Sequence, residues 1–143
     1  MKIRDIMTGD VAAVSPDTSV LEVAQLMQKH DVGAVPVCEG ANVVGLVTDR
    51  DIVVRNIAHG RDPNQTPVRD VMTTQVKSAN PEMSLSQAAG IMAAQQIRRL
   101  PVVDENRLVG MVSLGDLATK AKYDVELGTT LGEISLPSEP EKM

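Results

Sequence analysis

Aromatic side chains are almost missing: the 143 residues include no Trp and no Phe, and Tyr123 is the single Tyr. Single-strand nucleic-acid platforms stack bases on such rings, so a base held by this chain must sit against aliphatic groups. Basic residues are in the minority, 14 Lys and Arg against 19 Asp and Glu for a formal net charge of −5, which argues against a surface built for a phosphate backbone. Nucleic acid is not an expected partner. Cysteine is reduced to Cys38, so one chain can form neither an internal disulfide nor a cysteine-based zinc site. Cys38 follows the apolar run Ala34-Val35-Pro36-Val37 and reads as a small buried hydrophobe. No apolar run approaches the roughly 18 residues that span a bilayer. Met1-Lys2-Ile3-Arg4-Asp5 does not open a signal peptide, and the expected location is the cytoplasm, with no membrane partner. The only histidines are His30, at a helix end, and His59, before the Gly60 linker. Neither stands in a motif, and no nucleophile or base is positioned for catalysis. An enzyme is not expected.

What the chain does have is a second copy of itself. Ile3-Arg4-Asp5-Ile6-Met7-Thr8 returns as Val68-Arg69-Asp70-Val71-Met72-Thr73, an offset of 65 with nothing inserted or lost. At that offset Ser15-Pro16 becomes Asn80-Pro81, Val35-Pro36-Val37 becomes Leu100-Pro101-Val102, and Gly45 to Asp51 becomes Gly110 to Asp116. Two copies are too few for a solenoid, and each alone is near the lower limit for burying a core. They are expected to pack face to face about a pseudo-twofold axis, with equivalent clefts beside it.

Each copy reads as strand, helix, strand, strand, helix after a helical turn at Arg4 to Met7. Val11 to Val14 is a short strand stopped by Ser15-Pro16. Val20, Val23, Ala24 and Met27 mark a helix opened by a Ser19–Glu22 capping box, repeated by Ser84 and Gln87. Gly33 to Cys38 and Val43 to Thr48 are two strands joined by a tight turn, and a second helix runs from Thr48 past Ile57 until Gly60 and Pro63 end it. The fold class is α/β, or α+β in some schemes. The expected division is copy one at 1–62, a linker at 63–67, copy two at 68–124 and a mostly mobile tail at 125–143, where Leu131, Ile134 and Leu136 are candidates for docking.

The chemistry-bearing pattern is the turn from the last strand into the last helix: Gly45, Leu46, Thr48 and Asp51, with its twin Gly110, Met111, Ser113 and Asp116. Unpaired N–H groups at a helix start favour phosphate. A cap hydroxyl adds a hydrogen bond, an Asp one turn in suits the two hydroxyls of a ribose, and Gly admits close approach. Thr48-x-x-Asp51 and Ser113-x-x-Asp116 also read as capping boxes that need no ligand.

These motifs resemble those of a tandem CBS-domain pair, a Bateman module. Asp-h-Met-Thr (h apolar) stands at Asp5-Ile6-Met7-Thr8 and Asp70-Val71-Met72-Thr73, and h-Pro-Val at Val35-Pro36-Val37 and Leu100-Pro101-Val102. Gly-h-x-Thr/Ser-x-x-Asp ends each copy, and the similarity covers residues 2 to about 122. The resemblance implies two repeats of β-α-β-β-α type and a regulatory module for adenosine-containing ligands: AMP, ADP, ATP, S-adenosylmethionine or NAD-type dinucleotides. By it, Asp51 and Asp116 hold ribose and Thr48 and Ser113 phosphate, while Val35-Pro36 and Leu100-Pro101, with Leu46 and Met111, frame the base. It places Arg98 and Arg99 at ligand phosphates near the shared cleft. Copy one has Val32-Gly33-Ala34 where copy two has Ile97-Arg98-Arg99, and Asp49-Arg50 where copy two has Leu114-Gly115, so the two sites are expected to be unequal. No cofactor is required beyond the regulatory nucleotide, which Asp49 and Asp51 are suited to accompany with Mg²⁺. The resemblance also implies a homodimer through helix faces, with Ile52, Val53, Ile57, Met92 and Leu117 serving core or interface, and a protein target reached in trans. The rival reading is a scaffold that keeps the fold without binding.

Overall fold

The computed structural model describes residues 1–120; the expected tail at 125–143, Tyr123 and the end of copy two lie outside the described residues. A 3₁₀ turn at Ile3–Asp5 is followed by α1 (Val20–His30), β1 (Ala34–Glu39), β2 (Asn42–Thr48) and α2 (Asp49–Ile52). The second half repeats this as a 3₁₀ turn at Val68–Asp70, α3 (Leu85–Gln95), β3 (Arg99–Asp104), β4 (Arg107–Ser113) and α4 (Leu114–Lys120). Among the described residues the class is α+β, built from two copies of one pattern.

Local chemistry sets the boundaries. Ser19 Oγ accepts from Glu22 N at the start of α1, and Ser84 and Gln87 close a full capping box on α3. Val20, Val23 and Met27 bury one face of α1, while Leu85, Ala88, Ala89 and Met92 bury that of α3. Each helix ends on a left-handed residue, Asp31 (φ 52) and Gln96 (φ 53), which satisfies terminal carbonyls. Helix α2 does not run on as regular α-helix to Ile57: Val53–Ile57 form a π-helical turn, with Ala58 N donating to Val53 O.

The hairpins β1–β2 and β3–β4 share one register. Ala34 faces Thr48 and Pro36 faces Leu46; Arg99 faces Ser113 and Pro101 faces Met111. Both ladders slip once, between Val37 and Cys38 and between Val102 and Val103. The hairpins meet at the single pair Asn42 and Arg107, giving strand order β1-β2-β4-β3. Those two residues are sequence equivalents, so the pseudo-twofold axis passes between them.

The first strand expected at Val11–Val14 shrinks to one residue. Val14 N donates to Pro36 O and Cys38 N to Val14 O, and Ala79 does the same beside β3. Pro16, two residues on, has no N–H with which to extend a ladder.

A second finding is that the copies exchange their first turns. Ile3 N donates to Met83 O and Val68 N to Thr18 O; Arg4 N donates to Pro81 O and Arg69 N to Pro16 O. Ile3 and Ile6 are therefore buried in a core with Leu85, Ala88, Met92, Leu100, Val102 and Leu117. Val68 and Val71 complete the core of Val20, Val23, Val35, Val37 and Val47. Neither core is made by one copy alone, as expected of units this small.

Candidate functional site

The exchange carries each Met-Thr segment onto the last strand of the other copy. Thr8 and Met111 exchange two backbone hydrogen bonds of 2.8 and 2.9 Å, and Thr73 and Leu46 exchange an equivalent pair of 2.8 and 2.9 Å. Met72 consequently lies against Gly45, and Met7 against Gly110. A Cβ on Gly45 would overlap Met72 Sδ, and one on Gly110 would stand 2.8 Å from both Met7 Sδ and Thr8 O. These glycines are needed for the methionine crossing; the close approach is made by the protein itself.

Beside the Thr8–Met111 junction opens a cleft of about 230 Å³, lined by Thr8, Asp10, Val11, Ala12, His30, Val32, Ala34 and Met111. Its wall is aliphatic, and Val32 remains 42% exposed there, an apolar group left for something else to cover. Two residues beyond Met111, β4 ends at Ser113 and α4 begins. Asp116 Oδ2 accepts from Ser113 N (2.9 Å) while Asp116 N donates to Ser113 Oγ (3.0 Å). Thr48 and Asp51 repeat the arrangement at 3.0 and 3.1 Å. Both aspartates thus act as helix caps through one carboxylate oxygen. The other oxygen, Oδ1, is left over, and in Asp51 it lies 3.9 Å from Arg55 Nε. Arg55 is itself held by the carbonyls of Val71 and Met72, just before Thr73.

The remaining residues singled out in the sequence fall into two groups. Val35, Leu100, Pro36 and Pro101 are buried. The Val35 and Leu100 side chains belong to the cores, and the Pro36 and Pro101 carbonyls accept from Val14 and Ala79. Leu46 and Met111 are half-buried at the two junctions. Arg98 and Arg99 are exposed. Arg99 reaches copy one, where its Nη2 and the Asp49 carboxylate both lie against Gly33, 3.3 and 3.0 Å from where a Cβ would be. Asp49 also accepts from Arg50 N through Oδ1, so Asp49 and Asp51 are turned to different backbone groups. No group of three or more His, Cys, Asp or Glu placed for a metal ion occurs among the described residues.

Sequence reasoning did not say which copy's wall each Asp faces, and it missed Asp10, Val11, Ala12, His30 and Val32 as lining. The available signal was the repeat itself: a pseudo-twofold pair of short units can exchange segments, and the Met-Thr segment preceding each first helix was the piece to exchange.

A family model, "CBS domain", matches residues 3–56 and again 68–123. The chain belongs to the CBS-domain family. As a CBS pair it is 51% identical over 133 residues to CBS domain-containing protein YhcV of Bacillus subtilis, covering 93% of this chain and 94% of that one. It is 36% identical over 116 residues to hypoxic response protein 1 of Mycobacterium tuberculosis, covering 80% and 81%. Among solved structures, the CBS domain pair of protein MJ0100 in complex with 5′-methylthioadenosine and S-adenosyl-L-methionine matches with TM-score 0.75 and 26% identity, covering 82% of this chain and 93% of that one. None of these matches indicates a catalytic family. No helix among the described residues is long and apolar enough to cross a membrane.

Proposed function

We propose that this CBS pair is a regulatory module that binds adenosine-containing ligands in its two clefts, each walled by one copy and closed by the Ser/Thr-x-x-Asp turn of the other. The observation that carries the reading is the junction at Thr8 and Met111. It sets an exposed aliphatic wall next to a hydroxyl and an aspartate with one oxygen to spare, as a base and a ribose require. The methylthioadenosine and S-adenosylmethionine held by the MJ0100 pair support it. Arg98 and Arg99 supply cations for phosphates, and Mg²⁺ would arrive on the phosphates of an ADP or ATP ligand. Binding acts by favouring one arrangement of the copies over another, in a cytoplasmic homodimer that meets its protein target in trans.

A second reading has an observation of its own. Both aspartates close capping boxes, which a scaffold without ligand also requires. Calorimetric titration of nucleotide-free protein with AMP, ADP, ATP, S-adenosylmethionine and NADH separates the two. Saturable binding that is lost in Asp51→Ala or Asp116→Ala, with the fold retained, supports the sensor; no heat from any of the five supports the scaffold.

A further inference from the structure

The two junctions are built alike, but the residues around them are charged differently. At the Thr8 cleft the lining includes Asp10 and His30; Asp116 stands on the turn that follows the lining residue Met111, and Asp49 shares the Gly33 wall with Arg99. Ala12 is neutral and Gly33 has no side chain. Around Thr73, the positions 65 further on hold Gln75 in place of Asp10, Lys77 in place of Ala12, Gln95 in place of His30 and Arg98 in place of Gly33. Leu114 stands outside the Thr8 cleft's acidic set, as the neutral counterpart of Asp49. Lys77 and Arg98 are exposed, and the five ion pairs among the described residues engage neither. Arg55 adds a third cation, fixed beside Asp51 by two carbonyls at the mouth of the Thr73 junction.

A phosphate monoester entering the Thr73 cleft therefore meets Lys77, Arg98 and Arg55 against the single carboxylate of Asp51. In the Thr8 cleft it meets Asp10, Asp49 and Asp116, with Arg99 already beside Asp49 and Lys120, the equivalent of Arg55, as the cation on α4. Like charge at short range repels and opposite charge attracts in proportion, and charged groups around a site discriminate among ligands chiefly by excluding the wrong one. We infer that the clefts sort ligands by charge. The cleft closed by Asp51 takes the phosphorylated adenosine ligand, and the cleft closed by Asp116 takes an uncharged or cationic adenosine derivative. The inference rests on the adenosine-binding reading above and adds which class each cleft accepts.

The test is calorimetry with AMP and with adenosine at low and high salt, on the wild type, Asp51→Ala, Asp116→Ala and Arg98→Gly. Arg98→Gly installs the residue copy one has at that place on an exposed position, so the fold is kept. AMP binding is expected to vanish in Asp51→Ala, persist in Asp116→Ala and weaken about tenfold in Arg98→Gly, the scale of one charge-assisted contact. AMP binding should also weaken with salt. Adenosine binding is expected to depend on Asp116 and to ignore both salt and Arg98. AMP binding that follows Asp116, or equal weakening of AMP and adenosine by Arg98→Gly, overturns the inference while leaving the ligand-sensor reading intact. Failure of both ligands to bind the wild type overturns that reading and the inference with it.

Discussion

Single residues decide whether the junction forms. Gly110 faces a backbone oxygen, Thr8 O, where Gly45 faces only the flexible Met72 side chain, so the two glycines differ in tolerance. Gly110→Ala is expected to destabilise the protein by about 1–3 kcal/mol, the range of an overpacked site, and Gly45→Ala by less; urea midpoints of the two variants measure the difference. Cys38 is 7% exposed and its thiol pKa is raised by burial. It should resist a thiol reagent in native protein and react at once in denaturant, and fast native labelling would contradict its placement in the strand. At this scale the sequence was informative about identity and less so about role. The Gly-h-x-Ser-x-x-Asp residues were legible, but that Gly110 serves Met7 was not, because the crossing methionine lies more than a hundred positions away in the chain.

At the scale of elements, the turns and caps carry most of the specific design. The first hairpin turns on Gly40 (φ 62), whereas the second uses Glu105 (φ 49) and Asn106 (φ 66). Two positive φ values in a two-residue loop mark the type I′ turn that suits a twisted hairpin, yet Glu is a costly residue there. Glu105→Gly is expected to stabilise the protein by about 0.5–1 kcal/mol, read as a rise in melting temperature. Asp51→Ala and Asp116→Ala should each cost about 1 kcal/mol as lost caps even without ligand, which sets the baseline for any binding experiment on them. Helices α1 and α3 and both hairpins were readable because each advertises itself locally, by caps such as Ser84 and Gln87 and by the β-rich runs either side of Gly40. The strand expected at Val11–Val14 reduces to Val14 because only Val14 is buried and bridged to Val37, while Val11 and Ala12 line the cleft beside Thr8. The π-helical turn at Val53–Ile57 left no local mark in the sequence.

The whole molecule is held together by what the copies lend each other. Besides the shared cores, Lys2 and Arg4 both bond to Glu82, and Arg69 pairs with Asp17, the position equivalent to Glu82. The Lys2 hydrogen bond, aided by Arg4, holds the Glu82 carboxyl below its ordinary value of 4.5. A lowered folded-state pKa means stability present above the ordinary value and lost as pH falls through the lowered one. Glu82→Gln is therefore expected to lower the urea midpoint slightly near neutral pH and to leave it unchanged in strong acid, where wild-type Glu82 is protonated too. A gap that persists in acid would assign Glu82 a packing role instead. The repeat foretold the pseudo-twofold axis that runs between Asn42 and Arg107, but equal copies carry no record of which first turn packs on which core. Only long-range contacts such as Ile3 with Met83 settle that.

Assembly of each cleft across the two copies is tested most directly by a crystal structure of the protein grown with AMP and adenosine. The ribose of a bound ligand is expected on Asp116 or Asp51, with its base against the wall of the opposite copy; in the Asp116 cleft that wall is Val11, Ala12, Val32 and Ala34. A base held by the same copy that supplies the aspartate would contradict it.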